Sequence, residues 1–217
     1  MVEVSLIRHG ETEYNLIKKI QGSLDSPLTK LGESQCRSLG SYLSNQPNYQ
    51  RVDEWISSPQ GRAMASSKLI RQEMKGRIAE IQMDDRIHEI FCGDLEGRLM
   101  PDVDPKILNG LYDDPDFAYP NGESINDVVE RARQFWSDLK PRLDEKETES
   151  QKTGEDYRVV IVSHGNFIRC LSSVIMNLPS DYAVRVVLEN TGLCYFRSSF
   201  AGPQIKMLHW NARPHLI

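Results

Sequence analysis

The sequence predicts an α/β fold of three layers, in which a mostly parallel central sheet carries helices on both faces. Two observations predict this class. Short β-branched and apolar runs alternate with segments of helical apolar spacing, and several of these runs stop at a glycine or a Ser-Pro pair. With 217 residues, of which 39% are hydrophobic and 26% charged, the chain can bury a core. We expect a single domain over residues 1–217.

An apolar run predicts the first strand, and a capping residue predicts the start of the first long helix. Residues 2–7 form an apolar and β-branched run that stops at Arg8-His9-Gly10, as a buried strand that ends in a functional turn would. Thr29 can cap a helix whose apolar residues share one face as far as Leu43. A second strand is expected near residues 52–56.

A helix that carries a candidate functional arginine is expected next. Ser58 can be its N-cap and Pro59 its first helical residue, which places Arg62 in the opening turn. Another strand is expected around residues 78–83. Residues from about 85 to 122 form a long irregular excursion, and because loops of this length often serve as lids or binding loops, we expect it to form a cap over the substrate.

The second half of the chain begins with the clearest helix. Ser124 can cap it, since apolar residues recur along one side of the segment that follows. Residues 144–156 are expected to be a charged surface linker, and residues 158–162 a buried strand that stops at Ser163-His164-Gly165. A helix with an apolar face that extends to Leu178 follows. Two more strands complete the sheet at an edge, residues 192–197 and 204–210.

Composition and charge exclude several classes of protein. The formal net charge of -5 argues against a nucleic-acid partner, because nucleic-acid binding needs a surplus of Lys and Arg on one face. The chain has no basic leader with a cleavage site, and no run approaches the roughly 18 apolar residues of a membrane span. We therefore expect a cytoplasmic protein with no membrane partner. The 4 cysteines form no CxxC pair and are expected to be reduced thiols.

Two of the predicted strands end in the same dipeptide, and this coincidence is the main functional clue. His9-Gly10 follows the first strand and His164-Gly165 follows a later one. Because the carboxyl ends of parallel strands form the ligand crevice of an open sheet, the two histidines can converge on one site. The alternative is that both merely satisfy turn hydrogen bonds.

The pentapeptide Arg8-His9-Gly10-Glu11-Thr12 resembles the signature of the histidine phosphatase superfamily, which is also called the phosphoglycerate-mutase-like superfamily. Further motifs follow in the order of that family. They are Asn15, Gln21-Gly22, Asp25-Ser26-Pro27-Leu28-Thr29, Gly32, Ser57-Ser58-Pro59, Arg62-Ala63, Glu89, Gly93-Asp94-Leu95-Glu96-Gly97, Pro120-Asn121-Gly122-Glu123-Ser124 and Ser163-His164-Gly165. Each motif alone is weak evidence for the resemblance, but the occurrence of all of them in the order of the family is strong evidence. The resemblance implies a phosphoglycerate-mutase-like fold and phosphoryl-transfer chemistry.

A phosphoryl group in transit spreads negative charge over its oxygens, so its site needs fixed cations and N–H donors. Arg8 and Arg62 can each offer a planar pair of N–H groups, which suits phosphate better than the point charge of a lysine. The amides of Asn15 and Gln21 can donate to the same oxygens, and the helix after His164 adds its positive dipole end. The expected phosphate-binding residues are Arg8, Asn15, Gln21, Gly22, Arg62, His164 and Gly165.

The resemblance also implies catalytic roles for three residues. It makes His9 the nucleophile that carries the phosphoryl group, and His164 a phosphate ligand that is not phosphorylated. Only an unprotonated imidazole can attack phosphorus, which agrees with a histidine in the first role. Glu89 matches the general acid of the family, which would protonate the leaving oxygen and later activate water. His88 and Glu96 are rival acids, although we favour supporting or capping roles for both.

No metal and no cofactor are expected. The sequence has no HExxH motif, CxxC pair or spaced Asp cluster, and Arg8 and Arg62 would repel a divalent cation from the phosphate. The expected partner is a small phosphorylated substrate or inorganic phosphate. A homodimer is also considered, because an edge strand at residues 192–197 could pair two copies. His209 and His215 are expected to be surface or edge residues.

Two other functions stay open. Cofactor-dependent mutases of the family resemble one another in a Glu-Arg-x-x-Tyr-Gly start after the acid and in paired arginines for a second acidic group. This chain has Glu89-Ile90-Phe91-Cys92-Gly93-Asp94 there and no Arg or Lys within residues 110–129. We therefore expect a phosphatase, with a phosphoglycerate mutase-type phosphotransferase and a catalytically silent phosphate-binding module as alternatives. The silent module is disfavoured because every expected catalytic residue is present.

The sequence does not identify the substrate. Sugar phosphates, phosphoglycerates, phosphoserine, nucleoside-type phosphates and cobamide precursors are all acceptable to members of the family. Specificity is expected to depend on residues in and near the segment 99–119. Apolar side chains there form either a wall of the substrate site or ordinary packing, and they are Phe91, Leu99, Met100, Leu111 and Tyr112.

Overall fold

The computed structural model describes residues 1–199 and 202–216, which form eight β-strands and seven α-helices. The strands are β1 (Val2–Arg8), β2 (Arg51–Val52), β3 (Glu54–Ser57), β4 (Arg77–Ile78), β5 (Ile81–Met83), β6 (Tyr157–Ser163), β7 (Leu193–Ser199) and β8 (Gly202–Ala212). The helices are α1 (Glu13–Leu16), α2 (Lys30–Ser44), α3 (Gly61–Glu73), α4 (Pro105–Asp113), α5 (Ile125–Thr153), α6 (Gly165–Met176) and α7 (Tyr182–Arg185). None of these helices combines the length and the apolar character that a membrane crossing needs.

Six strands form the central sheet in the order β5, β3, β6, β1, β7, β8. The first four run parallel to one another, whereas β7 and β8 are each antiparallel to their neighbours. β2 and β4 form a separate parallel pair. The predicted fold class, an α/β fold with a mostly parallel sheet, is confirmed.

Alternation along β1 shows how helices come to cover both faces of the sheet. Leu6 belongs to a core cluster with residues of α5 and α6, whereas Ile7 belongs to a second cluster with residues of α2 and α3. Because successive side chains of a strand point to opposite faces, the two clusters lie on the two sides of the sheet. The three predicted layers are therefore confirmed.

Two predicted helix caps are confirmed. The side chain of Thr29 accepts the N–H of Gly32 at the start of α2. At the start of α5, the side chain of Ser124 accepts the N–H of Asp127, whose carboxylate in turn accepts the N–H of Ser124. This reciprocal capping box satisfies two backbone donors that have no partner within the helix.

The predicted cap of α3 is wrong. This helix begins at Gly61, with Gln60 and not Ser58 as its N-cap. The backbone of Ser58 instead continues the sheet, because its N–H donates to the carbonyl oxygen of Val162 at 2.9 Å. Arg62 nevertheless lies in the first turn of α3, as predicted.

The charged linker predicted at residues 144–156 is also wrong, because most of this segment is helical. α5 continues to Thr153 and is followed by Gly154, whose φ of 75° is the left-handed conformation that ends many helices. Charges spaced by one helical turn pair along its exposed side, as Lys146 and Glu149 do. A run of charges in this sequence is therefore the solvated face of a helix.

The strand expected at the edge of the sheet lies inside it. β7 is hydrogen-bonded to β1 on one side and to β8 on the other, so β8 forms the edge. The homodimer considered through this strand would need backbone groups that are already paired. Leu178, which was expected on the buried face of α6, lies beyond the end of that helix and is 40% exposed.

The excursion between β5 and α5 contains short 3₁₀ helices and the helix α4. Its apolar residues Val103, Leu111 and Tyr119 are buried in the same core cluster as the residues of α5 and α6. The excursion is therefore packed against the rest of the molecule, where it closes one side of the cavity described below.

Candidate active site

The register of the sheet brings the two His-Gly dipeptides together. Arg8 at the end of β1 pairs with Ser163 at the end of β6, and the N–H of His9 donates to the carbonyl oxygen of Ser163 at 3.0 Å. The rings of His9 and His164 consequently lie with their centroids 5.2 Å apart and their planes tilted by 59°. The two histidines share one site, as their positions at the ends of parallel strands predicted.

The imidazole of His9 is buried, neutral and fixed in orientation. Its Nδ1 donates to the carbonyl oxygen of Gly10 at 2.8 Å, and this contact leaves the lone pair on Nε2. Burial, followed by the charges of Arg62 and Arg8, lowers the pKa of His9 well below 6.5. Because the neutral ring is the form that can attack phosphorus, the surroundings suit His9 to a nucleophilic role.

His164 lies in a similar environment but has different contacts. Its Nε2 makes a 2.8 Å hydrogen bond with the hydroxyl of Ser58, so Ser58 orients this ring and does not cap a helix. Burial and the charge of Arg62 lower the pKa of His164 well below 6.5. Its Nδ1 is buried and has no hydrogen-bond partner in the described part of the chain.

Two arginine side chains flank the histidines, one of them buried (Arg62) and the other half-buried (Arg8). Arg62 is 1% exposed and donates from Nη1 to the carbonyl oxygen of Leu24 and from Nη2 to that of Gly22, both at 2.9 Å. Arg8 donates from Nη1 to the carbonyl oxygen of Leu188 at 2.6 Å. These contacts fix both side chains while the Nε atom of each is buried without a partner among the described residues.

Three unpartnered nitrogens therefore lie in one buried region, namely Arg8 Nε, Arg62 Nε and His164 Nδ1. A buried N–H group without an acceptor costs about 1–3 kcal/mol, so such groups are usually satisfied by a ligand where they gather. The two guanidinium groups lie beside two neutral imidazoles, and Arg62 is also paired with the carboxylate of Asp25 at 3.2 Å. The arrangement suits an anion with several oxygens, such as phosphate.

Glu89 is held at the amino end of α6. Its Oε1 accepts the N–H groups of Ile90 at 2.9 Å, of Asn166 at 3.2 Å and of Phe167 at 3.3 Å. Its own N–H donates to the side-chain oxygen of Gln60 at 2.9 Å. The sequence predicted that the positive end of α6 would face the phosphate, but the N–H groups of Asn166 and Phe167, in the first turn of this helix, donate to Glu89 instead.

A cavity of about 600 Å³ opens beside these groups. Six of the residues predicted for the site line it, namely Arg8, Asn15, Gln21, Gly22, Glu89 and Gly165. The other three, His9, Arg62 and His164, are at most 2% exposed and do not belong to the lining. The predicted site residues therefore form two groups, six that line the cavity and three that are buried. Nη2 of Arg62, in the buried group, donates to the carbonyl oxygen of Gly22 in the lining.

The orientation of Asn15 leaves a donor for the cavity. Its side-chain oxygen accepts the N–H of Thr12 at 3.2 Å and the Nδ2–H of Asn190 at 3.2 Å. Because the oxygen is engaged, the amide nitrogen is the group available to a ligand. Gln21 lies in the same lining and is 9% exposed.

The rival acids have other contacts. Glu96 accepts the N–H groups of Ser23 at 2.6 Å and of Cys92 at 3.1 Å, and so ties the loop after Gln21 to the excursion. A Cβ on Gly22 would lie 2.0 Å from the same carboxylate oxygen, which explains why this position holds glycine. His88 makes a 2.6 Å hydrogen bond through Nδ1 with the carbonyl oxygen of Glu89.

The proposed apolar wall is only partly present. Met100, Leu111 and Tyr112 line the cavity, whereas Phe91 and Leu99 do not. Leu111 is also buried at 2% exposure in the main core, so it serves both as packing and as lining.

Sequence reasoning missed the turn before β7. Asn190 donates from Nδ2 to the carbonyl oxygen of His9 at 3.1 Å, and the N–H of Thr191 donates to the carbonyl oxygens of Arg8 and His9 at 3.1 and 3.2 Å. Thr191 is fully buried with φ of 55°, which is rare for a β-branched residue. Only the antiparallel pairing of β7 with β1 brings this turn beside His9.

One histidine expected at the surface contributes to this turn. The Nε2 of His215 makes a 2.9 Å hydrogen bond with the hydroxyl of Thr191, and burial lowers the pKa of His215 to about 4. The expectation is therefore wrong for His215, because the C-terminal segment packs against α2. His209 lies exposed on the edge strand β8, as expected, and stacks on Tyr195.

Comparison with known proteins agrees with this geometry. The family model of the histidine phosphatase superfamily (branch 1) matches residues 4–212. A probable phosphoglycerate mutase, GpmB of Serratia proteamaculans, is 32% identical over 200 residues, which are 89% of this chain and 83% of that protein. A mycobacterial glucosyl-3-phosphoglycerate phosphatase in complex with VO3 is 26% identical with a TM-score of 0.81, covering 97% of this chain and 98% of that chain. A mutant phosphoserine phosphatase of Entamoeba histolytica in complex with phosphoserine is 26% identical with a TM-score of 0.78, covering 100% of both chains.

Proposed function

The chain belongs to the histidine phosphatase superfamily, and we propose that it is a metal-independent phosphomonoesterase that hydrolyses a small phosphorylated metabolite through a phosphohistidine on His9. The observation that carries this proposal is the group of three buried, unpartnered nitrogens of Arg8, Arg62 and His164 beside a neutral His9. The phosphatases among the similar structures support the choice of water as the final acceptor.

In the first step, Nε2 of His9 attacks phosphorus and the bond between phosphorus and the ester oxygen breaks. The leaving oxygen takes a proton from Glu89, so the product departs as an alcohol and Glu89 becomes a carboxylate. Arg8 and Arg62 stabilise the charge that develops on the phosphoryl oxygens. The bond from Nδ1 of His9 to the carbonyl oxygen of Gly10 supports the positive charge that the ring acquires.

In the second step, water replaces the departed alcohol. Glu89 accepts a proton from this water, whose oxygen attacks phosphorus while the bond between phosphorus and Nε2 of His9 breaks. Inorganic phosphate leaves, and both side chains regain their initial states. Oε2 of Glu89 is suited to carry the proton, because its one hydrogen bond is a 3.3 Å contact with the N–H of Asn166, whereas Oε1 accepts three N–H groups.

A second candidate is a phosphotransferase of the phosphoglycerate mutase type. Two observations favour it. The relative that is 32% identical is a probable phosphoglycerate mutase, and the cationic residues Lys19 and Arg169 are in the cavity lining. Both cations lie outside the segment 110–129, whose lack of Lys and Arg was the sequence argument against a second anion site. A mutase would return the phosphoryl group from His9 to a substrate and not to water.

The decisive experiment traps the phosphorylated enzyme. The purified chain is mixed with p-nitrophenyl phosphate in the presence of a metal chelator, released phosphate is measured, and acid-labile, alkali-stable phosphate on the protein is located by mass spectrometry. We expect turnover with the chelator present and a label on His9. His9→Ala should lose at least about a thousandfold in rate, because it removes the covalent step, whereas His209→Ala should retain the rate of the wild type.

Four results would contradict the proposal. A His9→Ala variant that releases phosphate at the rate of the wild type would exclude His9 as the nucleophile, as would a label on another residue. Activity that is lost in the chelator and restored by metal would exclude the metal-independent chemistry. Interconversion of phosphoglycerates without net release of phosphate would establish the second candidate in place of the first.

A further inference from the structure

The loop that joins α7 to β7, residues 186–192, contacts the candidate nucleophile. Nδ2 of Asn190 donates to the carbonyl oxygen of His9 at 3.1 Å, and the N–H of Thr191 donates to the same oxygen at 3.2 Å. Because the imidazole of His9 is attached to this backbone, a shift of the loop would move the nucleophile.

The same loop contacts a candidate phosphate ligand. The carbonyl oxygen of Leu188 accepts a hydrogen bond from Nη1 of Arg8 at 2.6 Å. Arg8 is half-buried, and its Nε has no partner among the described residues, so this carbonyl oxygen helps to fix where the guanidinium lies. The loop therefore influences the binding of phosphate as well as the position of the nucleophile.

The conformation of the loop needs support from its neighbours. Thr191 is fully buried and has a φ of 55°. A β-branched residue adopts this left-handed conformation only where the surrounding contacts hold it there. The contacts that hold the loop are therefore candidates for a role in the reaction.

Two residues at the end of β8 hold the middle of the loop. Nε1 of Trp210 donates to the carbonyl oxygen of Val187 at 2.7 Å, and Oδ1 of Asn211 accepts the N–H of Glu189 at 2.9 Å. These bonds hold the backbone on either side of Leu188, whose carbonyl oxygen is the acceptor described above.

A third residue, His215, holds the strained end of the loop. Its Nε2 makes a 2.9 Å hydrogen bond with the hydroxyl of Thr191, and this hydroxyl donates to the carbonyl oxygen of Asn190 at 2.7 Å. Since a hydroxyl carries one proton, Nε2 of His215 is the donor in its bond with Thr191. The 3₁₀ helix Pro214–Leu216, which carries the imidazole, packs against α2.

We propose that three residues near the C-terminal end position the reacting groups for phosphoryl transfer, namely Trp210, Asn211 and His215. None of them lines the cavity, so they act through the loop 186–192. Trp210 and Asn211 act on Arg8, and His215 acts on His9. This inference rests on the proposed function, because the step that these residues support is the transfer of phosphate to His9.

Two measurements separate the nucleophile from the phosphate ligand. The value of kcat/KM for p-nitrophenyl phosphate includes the attack by His9, whereas the inhibition constant of inorganic phosphate reports on binding alone. Both are measured for the full chain and for each variant, at a temperature where thermal unfolding shows every protein to be folded.

The variants of His215 test the position of the nucleophile. His215→Phe keeps a planar ring but removes the N–H group, and we expect it to lower kcat/KM about three- to tenfold, as loss of one hydrogen bond does. The inhibition constant of phosphate should stay within about twofold. His215→Gln keeps an N–H donor near the position of Nε2 and should restore most of the rate. His209→Phe, the same substitution at an exposed histidine, is the matched control and should change neither constant.

A double-mutant cycle tests whether His215 acts through the hydroxyl of Thr191. Thr191→Val removes the hydroxyl and keeps the branched shape of the side chain. If the hydroxyl transmits the effect, His215→Phe should lower kcat/KM no further in the Thr191→Val background. Equal factors in both backgrounds would contradict this route.

The variants of the other two residues test the phosphate ligand. Trp210→Phe removes the N–H group that holds Val187, and we expect it to raise the inhibition constant of phosphate about three- to tenfold. Asn211→Gly should act in the same direction, and glycine suits this position because its φ is 51°. Ser124→Ala, which removes a helix cap outside the cavity lining, controls for lost stability and should change neither constant.

The failures of the two proposals are distinguishable. If His215→Phe and Trp210→Phe keep the constants of the wild type, or change them no more than Ser124→Ala does, the three residues have only a structural role and the phosphatase stands. If the wild type releases phosphate neither from p-nitrophenyl phosphate nor from a panel of phosphorylated metabolites, the proposed function itself fails, and the positioning roles fail with it.

Discussion

Two buried imidazoles lie beside the guanidinium groups of the buried Arg62 and the half-buried Arg8, and this arrangement decides the protonation state of the two rings. A positive charge on either ring would lie in a dry region beside Arg62 and Arg8, so the pKa of both His9 and His164 is lowered well below 6.5. In the proposed reaction, the same cations that would attract a phosphate also keep the candidate nucleophile His9 free of its proton. One charge distribution thus serves both binding and reactivity.

Glu89→Gln should reveal the general acid through the leaving group. Glutamine keeps the size of the side chain but cannot supply a proton, so substrates with poor leaving groups should slow far more than p-nitrophenyl phosphate, whose leaving oxygen needs little protonation. The measurement is kcat/KM for alkyl and aryl phosphates in both proteins. Equal losses for the two kinds of substrate would show that Glu89 is not the acid.

A matched control for this substitution is available at the next glutamate in the sequence. Glu96→Gln changes a glutamate that contacts Ser23 and Cys92 and does not line the cavity. Any effect of this variant should be the same for alkyl and aryl substrates, because it would act through the shape of the loop. A leaving-group dependence in Glu96→Gln and not in Glu89→Gln would reverse the two assignments.

Asn190→Ala should weaken catalysis without unfolding the protein. The side chain of Asn190 donates to the carbonyl oxygen of His9 and to the side-chain oxygen of Asn15, so its loss frees both the nucleophile and a phosphate ligand. Two ordinary hydrogen bonds correspond to a decrease of about tenfold in kcat/KM.

An effect of Asn190→Ala on catalysis can be distinguished from a general loss of stability. Thermal unfolding of Asn190→Ala should change little, and Asn45→Ala, which removes an exposed amide at the end of α2, should leave kcat/KM unchanged. A large drop in melting temperature with wild-type kinetics would assign Asn190 a structural role only.

At the scale of the elements, the start of α6 has a function that its sequence position did not reveal. A helix N-terminus that follows a strand is a common binding site for phosphate, yet the N–H groups of Asn166 and Phe167 donate to Glu89. The start of the helix therefore positions the candidate acid, and in the proposed function the arginine side chains bind the phosphate. Whether a phosphate or a carboxylate occupies the start of a helix depends on which anion the neighbouring segments of the protein place there.

The capping box of α5 makes a separate prediction about stability. Ser124→Ala removes the acceptor for the N–H of Asp127, and it should lower the free energy of unfolding by about 1 kcal/mol. The measurement is chemical denaturation. Ser137→Ala, an exposed substitution inside the same helix, is the control and should cost nothing measurable, because alanine favours the helix interior. Equal losses for both variants would contradict a specific role for the cap.

At the scale of the whole molecule, the fold assembles the site from five distant segments, one of which is the start of α3 with Arg62. β1 and β6 are parallel neighbours and supply the two histidines, whereas the antiparallel β7 brings its preceding turn to the same end. The excursion before α5 adds Glu89 and part of the cavity wall. No single segment contains a working site, so the stability of the fold and the geometry of the site are coupled.

This coupling predicts that the protein loses stability below neutral pH. The pKa of His9 and His164 lies well below 6.5 in the folded state and near 6.5 in an unfolded chain. Unfolding therefore takes up protons as the pH falls below about 6.5, so the stability is fully present above that pH and decreases below it. Each buried histidine should contribute a loss of about 1.4 kcal/mol between pH 7.5 and pH 5.5.

Urea denaturation at these two pH values measures the effect. His164→Asn should reduce the loss by about 1.4 kcal/mol, because one buried imidazole no longer titrates on unfolding. His209→Asn changes an exposed histidine and should leave the pH dependence as it is in the wild type. A pH dependence that His164→Asn does not alter would show that this ring is not buried in its neutral form.

The sequence by itself determined the fold class, the ends of the strands that carry the two histidines, the caps at Thr29 and Ser124, and most of the residues that gather at the candidate site. These features depend on local patterns, such as an apolar run that stops at His9 or a serine before a helical repeat, and such patterns are written in adjacent residues. The reliance on local patterns also explains the wrong prediction for residues 144–156. Their charges are equally compatible with a linker and with the exposed face of a helix.

Only the tertiary structure decided which groups meet. The contact of α6 with Glu89 and the turn of Asn190 beside His9 each join segments that are far apart in the chain. The physical reason is that such contacts depend on strand order, register and the packing of the excursion, which are set by the burial of the whole core and not by any one stretch of sequence.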